Sequence, residues 1–141
     1  MQKKFFGRLA KSIIFALLNF FFFSKTLYDR LGAENFFGKF GELLGHKILK
    51  DSLLGPKYSQ TDFQKVHALR MQFFKTLFGG PGKYEGRDMK TAHSGQQLND
   101  QHFDRFANVF EEALSELKAN ECLIKEAMAL LETLRPDVLN K

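Results

Sequence analysis

The chain has 141 residues, is 44% hydrophobic, and sets 21 Lys and Arg against 16 Asp and Glu for a formal net charge of +5. That length suits one compact domain around one core. The positive excess is mild, partly terminal, and without a basic stripe carrying interleaved aromatics, which argues against nucleic acid as a partner.

Residues 1–11 are basic, with Lys3, Lys4, Arg8 and Lys11, and residues 12–24 are mostly apolar and broken by Asn19. An apolar run of about 12 residues is too short to cross a bilayer, which takes roughly 20. Three readings stay open for it: an extra helix packed on the domain, a segment lying on an anionic membrane surface, or a targeting signal. Residues 1–25 are therefore read as an N-terminal apolar extension and residues 26–141 as the domain proper.

No later stretch alternates as a strand does, so the expected class is all-α. Residues 34–49 place Phe36, Phe37, Phe40, Leu43, Leu44, Ile48 and Leu49 three and four apart, a helical face. Gly38, Gly41 and Gly45 interrupt it and let a second helix or a flat ligand come close. Gly55-Pro56 closes this region. Thr61 with Gln64 three residues on reads as a capping box for a helix running to Phe78. Gly79-Gly80-Pro81-Gly82 stops that helix, and the polar chain up to His93 has room only for a loop and a short helix. Asn99 or Asp100 caps a helix with the stripe Phe103, Phe106, Ala107, Phe110, Leu114 and Leu117. A last helix begins near Asn120, with Leu123, Ile124, Ala127, Met128, Leu131 and Leu134 inward. Cys122, the lone cysteine, excludes an internal disulfide and is expected as a buried, reduced thiol on that stripe.

Seventeen Phe, with no Trp and three Tyr, give more flat apolar surface than a small domain usually needs. Such surface lines a pocket for a planar cofactor, although biased codon usage or a membrane face also produces it. His93 lies between two long helical patterns, a placement that suits one strong axial ligand to a buried haem iron. A surface or helix-capping histidine is the plainer alternative. Cys122 and the scattered histidines lack zinc spacing, and the glycine corner lacks the Lys-Ser/Thr pair of a phosphate loop.

The run Leu27-Tyr28-Asp29-Arg30-Leu31-Gly32-Ala33-Glu34 resembles the opening of the truncated haemoglobins, group I in particular, and Leu49-Lys50-Asp51 looks like the end of their B helix. Phe73-Phe74-Lys75-Thr76-Leu77-Phe78-Gly79-Gly80-Pro81 is similar to the end of their E helix, and Tyr84 to His93 to the stretch leading to the proximal histidine. His102-Phe103 and Asp137-Val138-Leu139-Asn140 fit as well. The resemblance covers about residues 26–140. It implies a two-over-two helical sandwich holding one haem b per chain, with His93 as the metal ligand, and binding of O2, NO or CO.

Under this resemblance Phe40, Leu44, Phe63, Phe73, Phe74, Phe78, Met89, Phe103 and Phe106 become candidate haem walls, while Tyr84 and Arg87 hold the haem edge. The distal side departs from the family. Gly45 stands where Tyr is usual and Val66 where Gln is frequent, with Arg70 at a deeper position and Leu69 where His or Lys occurs. One lost hydrogen bond is worth roughly 0.5–1.5 kcal/mol, so faster O2 release is expected unless Arg70 substitutes. Helical phase sets His67 and His46 beside the distal wall, with His67 the better candidate for a sixth ligand.

The leading expectation is a reversible gas carrier. Nitric oxide dioxygenation is known for some members and needs electrons from an external reductase, so enzymatic status stays open. A haem-based gas or redox sensor is the alternative, and a haem-free helical interaction or membrane-surface module the alternative of another class. The expected location is cytoplasmic, with peripheral membrane contact through residues 1–24 as an open addition.

Overall fold

Thr26, Asp62, Asp88, Asn99 and Asn120 each turn a side-chain oxygen onto a backbone N–H in the first turn of the helix that follows. Each cap satisfies a donor that the helix itself cannot pair. The structure is a computed structural model describing residues 11–14 and 25–141. From residue 25 onward its helices are α1 (Leu27–Leu31), α2 (Ala33–Lys50), α3 (Phe63–Leu77), α4 (Met89–His93), α5 (Asp100–Glu116), α6 (Glu121–Glu132) and α7 (Arg135–Val138), with a 3-10 turn at Gly55–Tyr58. No strand occurs among the described residues.

Helix α3 lies against α2, α6 against α5, and the two layers meet where α2 packs on α5. This is an all-α helical sandwich of globin-like form. Phe40, Leu44, Ile48, Phe110 and Leu114 have no solvent exposure and form its centre. Burying each such side chain is worth about 1.5–3 kcal/mol. The rings interlock edge to face: Phe40 and Phe110 have centroids 5.0 Å apart at 82°, and Phe37 meets Phe78 at 5.8 Å and 82°. Six of the ten phenylalanines among the described residues are buried, so these are structural.

Three local expectations need correction. The cap of α3 is Asp62, accepting from the Lys65 N–H, one residue past the expected Thr61. Its side chain directly precedes the first helical residue, so it reaches the donor first. Cys122 is exposed, not buried. It sits in the first turn of α6, about half a turn away from the buried residues Ile124, Ala127 and Leu131. Leu49 is 47% exposed, because the inward face of α2 is carried by Phe37, Phe40, Leu44 and Ile48.

The extension expected over residues 1–25 lies largely outside the described residues; residues 11–14 are helical, with Ile13 and Ile14 exposed. No helix among the described residues is long and apolar enough to cross a membrane.

Two features set up the region around His93. Gly79 has φ +83°, and a Cβ there would lie 2.8 Å from Thr26, while a Cβ on Gly80 would lie 2.8 Å from the Tyr28 ring. Only glycines let the end of α3 close this tightly onto the start of α1, where Tyr28 N–H donates to Phe78 O. At the other end, Arg135 of α7 reaches Asp100 and Asp104 of α5 and lies 4.3 Å from the Phe103 ring centre. Those pairs are partly solvated and individually small, but they dock α7, and α7 is the surface on which the five-residue α4 rests. So short a helix is not stable on its own propensity.

Candidate functional site

Asp88 caps α4, accepting from the Thr91 N–H at 3.0 Å and from the Thr91 hydroxyl at 2.7 Å. That fixes the turn in which His93 Nδ1 lies 2.7 Å from Met89 O. A carbonyl only accepts, so Nδ1 carries the proton and Nε2 keeps its lone pair. Nε2 makes no hydrogen bond among the described residues. Burial lowers the His93 pKa, the Met89 carbonyl works against this, and the charges of Arg70 and Arg87 lower it further. His93 is thus a neutral, oriented imidazole with an open donor nitrogen, the form in which histidine binds a metal.

The side chains around it divide into two sets. Phe40, Leu44, Phe74, Phe78 and Phe103 are sealed in the core, at most 4% exposed. Phe63, Val66, Leu69, Arg70, Phe73, Tyr84, Met89 and Phe106 are half-buried, and along α3 only Phe74 is fully buried. An apolar surface left half open on α3, with an oriented imidazole lone pair nearby, suits a flat apolar group bearing one metal, so the residues present fit haem. Tyr84 stacks edge-on against Phe73 at 5.3 Å and donates to Arg87 O at 2.5 Å. Arg87 itself is exposed, where it suits a carboxylate at the rim.

The opposite wall is polar and mutually bonded. His67 Nε2 lies 2.7 Å from Gly41 O, and its ring stacks on Phe63 at 5.3 Å and 9°. Its Nδ1 lies 2.9 Å from an Arg70 nitrogen. Because a carbonyl only accepts and a guanidinium only donates, the tautomer is fixed: Nε2–H donates and Nδ1 accepts. Arg70 also donates to the Tyr58 hydroxyl. Both nitrogens of His67 are therefore occupied in this arrangement. A groove of about 320 Å³ runs between α2 and α3 past Gly41, Gly45, His46 and His67, and His46 stands exposed on its edge. Sequence reasoning missed Tyr58, since a residue in a 3-10 turn carries no periodic signal. The pair Gly41 and Gly45, four apart on α2, was the legible sign that something on α3 comes close.

Burial lowers the His67 pKa, the Gly41 carbonyl opposes this, and Arg70 lowers it again. A proton on Nδ1 would face the guanidinium directly. With the folded-state pKa below the ordinary 6.5, the unfolded chain binds protons more readily at both His67 and His93. Their contribution to stability is complete above about pH 6.5 and is lost as pH falls through the depressed values. Denaturation midpoints of the haem-free protein are expected to hold from pH 8 to 7 and fall towards pH 5. The slope is expected to be shallower in His67→Gln; an unchanged slope would remove His67 from this linkage.

Comparison with known proteins agrees with the fold. The bacterial-like globin family model matches residues 26–140. A group 1 truncated haemoglobin of Tetrahymena pyriformis is 32% identical over 117 residues, covering 83% of this chain and 97% of that protein. The crystal structure of the Tetrahymena pyriformis truncated haemoglobin in its Fe(III) form superposes with a TM-score of 0.79 at 32% identity, covering 83% of this chain and all of that one. The 2/2 haemoglobin of Synechococcus sp. PCC 7002, in the cyanomet state with covalently attached haem, gives 0.77 at 30% identity, again covering 83% and 100%.

Proposed function

Because the chain belongs to the group 1 truncated haemoglobins, a 2-on-2 globin family, we propose that it holds one haem b through His93 and binds O2, NO and CO reversibly. Residues 26–141 form the haem unit of this reading and residues 1–25 an addition to it. The observation that carries it is the oriented His93 ring, with Nδ1 committed to Met89 O at 2.7 Å and the Nε2 lone pair open. The haem iron, when bound, supplies the exchangeable coordination position at which a diatomic gas sits.

The chain supplies everything else. Met89 O fixes the ring plane and tautomer of His93. Phe63, Phe73, Met89 and Phe106 supply apolar contact for the porphyrin face and keep water from it. Tyr84 braces the rim and Arg87 offers a cation to a carboxylate there. On the distal wall Val66 and Leu69 are apolar, so hydrogen bonding to a bound gas falls to Arg70 and the groups it touches. Nitric oxide turnover is the finer form of the reading and takes its electrons from a separate reductase.

The test is the absorption spectrum of the purified protein in ferric, ferrous and CO-bound states. A Soret band that survives size exclusion and shifts on CO addition is expected. Correctly folded, haem-supplied protein that elutes without a Soret band would refute the reading.

A further inference from the structure

Arg30, Arg105 and Arg135 each reach a carboxylate. Arg70 does not: no carboxylate lies within ion-pair distance of it among the described residues. Its guanidinium is also the one most surrounded by protein of the four, although the residue is half-buried. Its guanidinium carbon lies 5.3 Å from the ring centre of Tyr58, 5.9 Å from Phe63 and 5.7 Å from Phe106. Aromatic faces attract the cation but do not neutralise it. Its two hydrogen-bond partners among the described residues are the Tyr58 hydroxyl and His67 Nδ1, neither of them a carboxylate. A guanidinium has five N–H donors, so most of its donating capacity stays unspent. A charge withdrawn from water without a counter-charge is costly, and an anion placed beside it removes that cost.

We propose that Arg70, braced by Tyr58 and His67, is the cationic half of an anion subsite inside the haem pocket, taking a small carboxylate or a comparable monovalent anion as its counter-ion. The site rests on the reading that haem occupies the space between α3 and α4. Two sources share this chemistry: a carboxylate of the haem edge, or a free small anion beside the iron. The planar fork of Arg70 presents two parallel donors to either. His67 defines the fork's direction, because its Nδ1 accepts one N–H while its Nε2 is tied to α2 through Gly41.

The test uses wild type, Arg70→Met and Tyr58→Phe, each with and without haem. Arg70→Met removes the charge and keeps an unbranched apolar side chain, so it is expected to fold and, with His93 intact, to form a Soret band. In haem-free protein, formate or azide at constant ionic strength is expected to raise the melting temperature of wild type by several degrees and leave Arg70→Met unmoved. In ferric haem protein, a free-anion site predicts at least tenfold weaker formate and azide binding in Arg70→Met, with the neutral ligand imidazole unaffected. A haem-edge source instead predicts that wild type retains haem at least tenfold better than the haem dimethyl ester and that Arg70→Met erases this preference. Tyr58→Phe is expected to show a smaller loss in the same arm. If Arg70→Met changes neither anion binding nor the ester preference, the subsite is refuted. If wild type responds to formate in the haem-free state yet never forms a Soret band, the anion subsite survives and the haem reading fails.

Discussion

Purified His93→Gly protein, supplied with haem, is expected to leave a size-exclusion column without its Soret band. The imidazole Nε2 is the strong donor that the half-buried surface between α3 and α4 presents, and apolar contact alone does not fix an iron. Loss of this proposed ligand is expected to weaken haem retention on the order of a thousandfold, about 4 kcal/mol at 1.4 kcal/mol per decade. Folding should survive. His93 is the last residue of α4, is only half-buried, and among the described residues its side chain hydrogen-bonds only to its own helix. Helical content and the denaturation midpoint of the haem-free variant should therefore stay near wild type. Adding free imidazole should restore much of the band, because the gap left by the side chain admits the same ring. A stable, unshifted Soret band in His93→Gly without added imidazole would remove His93 from the iron.

How far the sequence disclosed this arrangement depends on the range of the interaction. The two helices with the cleanest 3.6-residue stripes, α5 and α6, are legible almost to the residue, because amphipathic spacing and an Asn cap are local. Even so, the capping box of α5 closes with His102 where Glu or Gln is usual. The cap of α3 lies one residue past the expected Thr61 because Thr61 and Asp62 are both capping types and only the backbone path decides between them. Cys122 departs from its expected burial because an apolar residue type does not by itself fix an inward position. The candidate ligand His93 was legible through the residues around it, as a histidine closing a short element after a glycine corner. The wall of Tyr58, His67 and Arg70 was not. It is assembled from a 3-10 turn, a carbonyl on α2 and two positions on α3, and no periodic rule links those places. Gly41 and Gly45 mark where two helix backbones approach, yet only the fold says that His67 fills the space.

Gly45 gives the sharpest test of that wall. A Cβ built there would lie 2.9 Å from His67 Nε2 and 3.1 Å from its Cδ2. The imidazole cannot simply swing away, because it is held to Gly41 O, bonded to Arg70 and stacked on Phe63. Installing the larger residue expected at this position from the family resemblance, Gly45→Tyr, should therefore expel His67. The cost combines overpacking, about 1–3 kcal/mol, with hydrogen bonds lost from a half-buried cation, about 1.5–3 kcal/mol. A total near 3 kcal/mol or more is expected in chemical denaturation. Gly38→Ala is the control on the same helix: a Cβ there meets nothing within 4 Å, and it should stabilise by about 0.5–1 kcal/mol through helix propensity alone. In Gly45→Tyr/His67→Ala the new ring takes the vacated space, so most of the loss should return, with a coupling energy of about 2 kcal/mol in the double-mutant cycle. Simple additivity would show that the two side chains do not compete for one volume. Gas kinetics supply an independent readout in the haem-loaded protein. The double variant brings a phenolic donor to the distal wall, where one hydrogen bond is worth roughly 0.5–1.5 kcal/mol, so O2 release should slow several-fold relative to His67→Ala alone. The same substitution would thus cost stability while His67 is present and tighten gas binding once it is gone, an opposition expected only if glycine at position 45 exists to make room for that histidine.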